Sequence, residues 1–125
     1  LIIAIDPGKT TGIAVYDGTT LATEVLLSQI AVWDRVAPDS VDTVVIERFS
    51  TADYLSKYGL LTIEIVGGVK AICHQSDKTL IVHSPQNRYS MQEKAHTHLK
   101  GKNVPFMIHE EDALAHMLYY LATGK

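Results

Sequence analysis

Cysteine, proline and tryptophan are scarce in this 125-residue sequence, with one Cys, four Pro and one Trp. The lone Cys73 has no partner for an internal disulfide, which excludes a disulfide-stapled scaffold and points to a reducing compartment and a buried, structural thiol. Four prolines and eight glycines without a period exclude collagen-like and Pro-rich chains. No apolar run reaches the roughly 18–20 residues of a membrane helix, and no charged leader precedes a cleavage site, so a cytoplasmic protein with no membrane association is expected. Positive charge is also short: 11 Lys and Arg face 14 Asp and Glu, a net charge of −3. Any contact with nucleic acid must therefore come from a local cluster.

What remains is 46% hydrophobic and 20% charged, enough to bury one core, and residues 1–125 are expected to form a single domain. Because the chain opens on Leu1 inside an apolar run, a start residue or short tag is expected to have been removed. Leu1 to Ile5 is a continuous apolar strand closed by Asp6-Pro7-Gly8. Thr11 to Tyr16 and Thr20 to Leu26 are two more strands, joined by Asp17-Gly18, a hairpin turn signal. Ser28 can cap a helix running to about Ala37. Thr43 to Ile46, closed by Glu47, and Leu80 to Val82, closed by His83-Ser84-Pro85, are further apolar strands. Between them a helix over 58–74 contains Gly67 and Gly68, which call for close approach to a neighbouring element or a partner subunit. A polar stretch follows Pro85, and the chain ends in an amphipathic helix over 110–123. The order β-β-β-α-β-α-β-α-α describes a mixed α/β sheet with helices on its faces.

Asp6 and Glu47 close two apolar strands. If those strands are adjacent and parallel, both carboxylates emerge at one carboxyl edge, where α/β proteins place ligands, and a hard cation would relieve their repulsion. The alternative is that each acid only ends its strand in solvent. His109 and Asp112, at i and i+3, share a helix face, and His116 lies near it. Acids in a first helical turn can also serve the helix dipole alone. The segment from Asp6 to Gly12 is a glycine-bearing turn that could bring backbone close to a phosphate, but it lacks the spacing of a Walker loop.

Ile5-Asp6-Pro7-Gly8, Thr11-Gly12-Ile13-Ala14-Val15, Val45-Ile46-Glu47 and His109-Glu110-Glu111-Asp112-Ala113-Leu114-Ala115 together resemble the RuvC-like Holliday-junction resolvases, and specifically a compact phage-type member. That resemblance implies a ribonuclease-H-like fold with a five-stranded sheet in the order 3-2-1-4-5, and a homodimer. It also implies an acidic site for two divalent ions about 4 Å apart, Mg²⁺ with Mn²⁺ as the alternative. By position Asp6, Glu47, His109 and Asp112 are the catalytic and metal-binding candidates. His109 stands where many members carry an aspartate and others a histidine.

The implied activity is structure-selective cleavage of branched DNA: four-way junctions foremost, with flaps and forks as further substrates, in a bacterial or phage-infected cell. The family's basic segment is represented by Arg88, Lys94, Lys100 and Lys102 against Glu93, a local balance of +3 that leaves −6 elsewhere. Lys9 and Arg48 flank the acids, and Phe49 and Tyr54 are candidates for stacking on an unpaired base. The rivals are a flap, fork or structured-RNA nuclease of the same superfamily, a catalytically weak junction-binding module, and an actin-like nucleotide-binding domain.

Overall fold

The computed structural model describes residues 1–48 and 57–125; Phe49 and Tyr54 lie outside them. Five strands, β1 (Ile2–Asp6), β2 (Thr11–Tyr16), β3 (Leu21–Leu26), β4 (Thr43–Glu47) and β5 (Thr79–His83), form one sheet in the order β3-β2-β1-β4-β5. β1, β2 and β3 are an antiparallel meander, while β4 and β5 run parallel to β1. Among the described residues there are five helices, one more than expected: α1 (Gln29–Val36), α2 (Gly59–Gln75), α3 (Pro85–Tyr89), α4 (Gln92–Gly101) and α5 (Ile108–Thr123). None is long and apolar enough to cross a membrane among the described residues.

Period-2 alternation splits the core between the two sheet faces. Ile3, Ile5, Ile13, Val44 and Ile46 pack with Val32 and Val36 of α1 and with Ile65, Val69 and Cys73 of α2. Ala4, Ala14 and Val45 face α4 and α5, meeting Leu99, Leu114 and Met117. The small Ala4 and Ala14 let α5 lie close against the middle of the sheet.

Local chemistry sets the boundaries. Ser28 caps α1, its hydroxyl accepting the Ala31 N–H at 3.1 Å, and Gly18 turns the β2–β3 hairpin at φ +98°. The last helix starts at Ile108 rather than Glu110, because the Glu110 carboxylate reaches back to accept the Met107 N–H at 2.7 Å. After Pro85 the chain forms two helices before α5 where one was expected, since the Ser90 hydroxyl donates to the Asn87 carbonyl at 3.1 Å and closes α3. Gly68 is needed inside the chain: a Cβ there would lie 2.2 Å from Trp33 Nε1. Gly67 faces open space.

Candidate metal centre

The same alternation that buries Ala4 and Val45 on the α5 side places Asp6 and Glu47 there too. They stand side by side, one step beyond the paired Ile5 and Ile46, at the carboxyl ends of parallel strands. His83, opposite Glu47 in the register of β4 and β5, closes its strand on that face as well. From above, the helical period of α5 turns His109, Asp112 and His116 toward this edge.

Three of the four sequence candidates converge. Asp6, His109 and Asp112 each offer a ligand atom, and these atoms all lie within 4.8 Å of one another. His109 Nδ1 is 2.9 Å from Asp6 Oδ2. Burial, reinforced by the nearby Asp112 and Glu47 charges, holds the Asp6 carboxyl above its usual range despite the His109 hydrogen bond. That hydrogen bond, in turn, raises His109 above the ordinary imidazole value, with burial opposing it. The donor set is two carboxylates and an imidazole around a desolvated point, a combination that suits a divalent cation and is electrostatically costly without one.

Glu47, the fourth candidate, is at the same edge but its carboxylate is engaged elsewhere. Oε1 accepts from Arg88 Nε at 3.0 Å and from His116 Nε2 at 3.1 Å. Burial works to raise this carboxyl, yet the His116 and Arg88 bonds and charges outweigh it and bring it below its ordinary value. Arg88 also lies 3.9 Å from Asp112 Oδ1, so one guanidinium spans the two acids. Gln92 Nε2 donates at 2.7 Å both to Asp112 and to the buried Glu111, which His96 pairs from the other side.

Beneath Glu47 the network continues inward. His116 Nδ1 faces His83 Nδ1 at 2.9 Å, and His83 Nε2 is 2.7 Å from the Lys125 carbonyl. In the sequence His116 stands out as a neighbour of the His109–Asp112 helix face, and His83 as a strand end. The usable signal for His83 was its position, since it closes an apolar strand as Asp6 and Glu47 do. Nothing in the spacing marked Gln92 or Glu111.

The remaining candidates divide by distance from this edge. Lys9 Nζ bonds the Tyr58 hydroxyl at 3.1 Å and lies over its ring. Arg48 follows β4 directly, its N–H donating to the His83 carbonyl at 2.7 Å and its side chain exposed. Arg88 sits inside the cluster. α4 begins at the site through Gln92 and then leads away from it, with Lys94 exposed near its start and Lys100 exposed near its end. Lys102 Nζ bonds the Leu21 carbonyl, and Leu21 aligns through Tyr16 with Ile2, at the opposite edge of the sheet from Asp6. The basic segment therefore does not form one patch beside the acids. The glycine turn also differs from expectation. Neither Gly8 nor Gly12 takes a positive φ, and Thr11 Oγ1 closes the turn on itself by accepting the Gly8 N–H at 3.3 Å and donating to the Gly8 carbonyl at 3.1 Å.

A structure of T. thermophilus RuvC in complex with a Holliday junction substrate matches with a TM-score of 0.69 at 18% identity, over 99% of this chain and 96% of that one. A second Thermus thermophilus RuvC structure matches with a TM-score of 0.65 at 17% identity, over 98% and 96%. No protein-family model matches, and no curated protein matches in sequence. The chain has the fold of these RuvC structures, a ribonuclease-H-like fold.

Proposed function

We propose that residues 1–125 form a single nuclease domain that cuts the phosphodiester backbone of branched DNA, Holliday junctions foremost, in a divalent-metal-dependent and structure-selective reaction. The observation that carries this reading is the convergence of Asp6, His109 and Asp112 within 4.8 Å at the carboxyl edge of the central strands, in a fold shared with RuvC.

In this reading Asp6, His109 and Asp112, joined by Glu47, hold up to two ions, Mg²⁺ or in its place Mn²⁺. Bound metal supplies a Lewis acid that lowers the pKa of an attacking water and offsets charge on the leaving 3′-oxygen. Asp6 is suited to a ligand role because its buried carboxylate lacks solvent to share its charge. Arg88 serves as counter-charge to Glu47 and Asp112, and with cations bound it would be free to pair with a phosphate instead. His109 Nδ1 is paired with Asp6 Oδ2, so a metal held through that nitrogen would take the place of a proton there. The donors position metal rather than attack, so no Ser–His or Cys–His pair is needed.

Lys9, Arg48, Arg88 and Lys94 would contact the cut strand's phosphates near the site, while Lys100 and Lys102 would meet a more distant stretch of backbone. Phe49 and Tyr54, in the segment after Glu47, are the proposed stacking groups for an unpaired base. A homodimer through α2 fits two symmetric cuts. Gly67 on that helix meets nothing within 4 Å, and Leu60, two turns earlier on the same side, is 70% exposed.

The test is a gel assay of four-way, three-way, flap and linear DNA, with Mg²⁺, with Mn²⁺ and with chelator. Metal-dependent, paired cuts in the four-way substrate are expected. Preferential cutting of flaps or forks would move the assignment to a relative of the same chemistry, and binding without cleavage in either metal would reduce the protein to a junction-binding module.

A further inference from the structure

We propose that His116, backed by His83, is a positioning residue that anchors one oxygen of Glu47 so that the other is presented to metal; the inference rests on the nuclease reading above. His116 lies in α5 among Ala113, Leu114, Ala115 and Met117, all buried, and is itself fully buried. An imidazole in such a place is costly unless its nitrogens are paired. Both are: Nε2 lies 3.1 Å from Glu47 Oε1, and Nδ1 lies 2.9 Å from His83 Nδ1. The two rings are 5.0 Å apart, and His83, 2% exposed, is fixed in turn by the edge of Tyr119 at 5.2 Å.

The second partner of Glu47 is of a different kind. Arg88 approaches along a long side chain that is 20% exposed, whereas His116 is a short side chain with no exposed surface. Both bonds fall on the same oxygen, Oε1, and Oε2 has no hydrogen bond among the described residues. A carboxylate with one oxygen held by a buried donor and no hydrogen bond on the other among the described residues is an arrangement by which supporting hydrogen bonds orient metal ligands, and loss of such support typically weakens metal binding about 10–100-fold.

Isothermal titration with Mn²⁺, on the full chain without DNA, tests this. Asp6→Asn should abolish binding. His116→Leu, which keeps the volume, should weaken it at least about tenfold, and His116→Gln, whose amide can donate from near the Nε2 position, should recover most of the loss. His83→Phe keeps a ring against Tyr119 and should weaken Mn²⁺ binding more mildly while the chain melts as a folded protein. Wild-type affinity in folded His116→Leu, with Asp6→Asn inactive in binding, overturns the positioning role alone. If His116→Leu does not fold, unchanged affinity in His83→Phe overturns it. Wild-type affinity in Asp6→Asn overturns the metal centre itself.

Discussion

Gly12 of β2 and His109 of α5 meet backbone against backbone: a Cβ on Gly12 would lie 1.9 Å from the His109 carbonyl oxygen and 2.2 Å from its carbonyl carbon. Only a residue without a side chain lets the start of α5 rest on β2, and that seating is what carries His109 and Asp112 down to Asp6. Gly12→Ala should therefore push the helix off the sheet. Overpacking of this kind costs about 1–3 kcal/mol or more, whereas Gly67→Ala, inside a helix where a Cβ meets nothing within 4 Å, should hold or gain stability. Thermal unfolding of the two variants compares them directly, and a Gly12→Ala protein that melts with wild type would contradict the seating.

The glycine turn also shows where sequence reading succeeds and where it stops. Alternation within strands and the closing acids of β1 and β4 are local properties, so the carboxylate edge was legible once the two strands were taken as parallel neighbours. The face shared by His109 and Asp112 followed from helical period in the same way. The turn from Asp6 to Gly12 reads in sequence as a place for close approach to a phosphate, because sequence cannot say which element comes near a bare backbone; at Gly12 that element is α5. Arg88 and Lys102 belonged to one basic stretch in sequence, yet α3 delivers Arg88 into the acid cluster while α4 carries Lys102 to the opposite edge. Charge counted along the chain says little about charge in space when two helices intervene.

Arg88 is an internal counter-charge to Glu47 and Asp112, and its removal should show in stability before it shows in chemistry. Arg88→Met leaves Glu47 with His116 alone and Asp112 without its cation. A loss of roughly 1–3 kcal/mol is expected in the presence of chelator. The deficit should shrink on adding Mg²⁺, since ion and guanidinium neutralise the same two acids. A deficit that is equal with and without metal would mean that Arg88 braces α3 independently of the site.

Asp6→Asn, Glu47→Gln and Asp112→Asn keep shape and remove charge. Each should lower single-turnover cleavage of a four-way junction by at least about two orders of magnitude, the scale of removing one preorganised electrostatic group. Junction binding should persist, because contacts to the phosphate backbone supply most of the affinity. Activity of Asp6→Asn within tenfold of wild type would remove Asp6 from the centre of the assignment.

A cation held through His109 Nδ1 would displace the proton that Nδ1 shares with Asp6, so pH should act in opposite directions on the free and the metal-bound protein. The Asp6 hydrogen bond raises His109 above 6.5, against the opposing effect of burial. A raised imidazole contributes stability that is complete below pH 6.5 and is lost as pH climbs through the folded-state value. Without metal, the stability advantage of wild type over His109→Ala should therefore decline from pH 6.5 upward. Mn²⁺ affinity should rise over that same interval, by at most about tenfold per pH unit, the limit for one proton released on binding. His109→Asp substitutes a ligand that is already deprotonated there, so its affinity should be nearly flat above pH 6.5, and it should keep substantial cleavage while His109→Ala loses most of it. Calorimetry across pH and cleavage at saturating Mg²⁺ at pH 8 read these separately. Equal cleavage by wild type, Asp and Ala variants, together with parallel affinity profiles, would leave His109 as a helix-start residue and reduce the site to its three carboxylates.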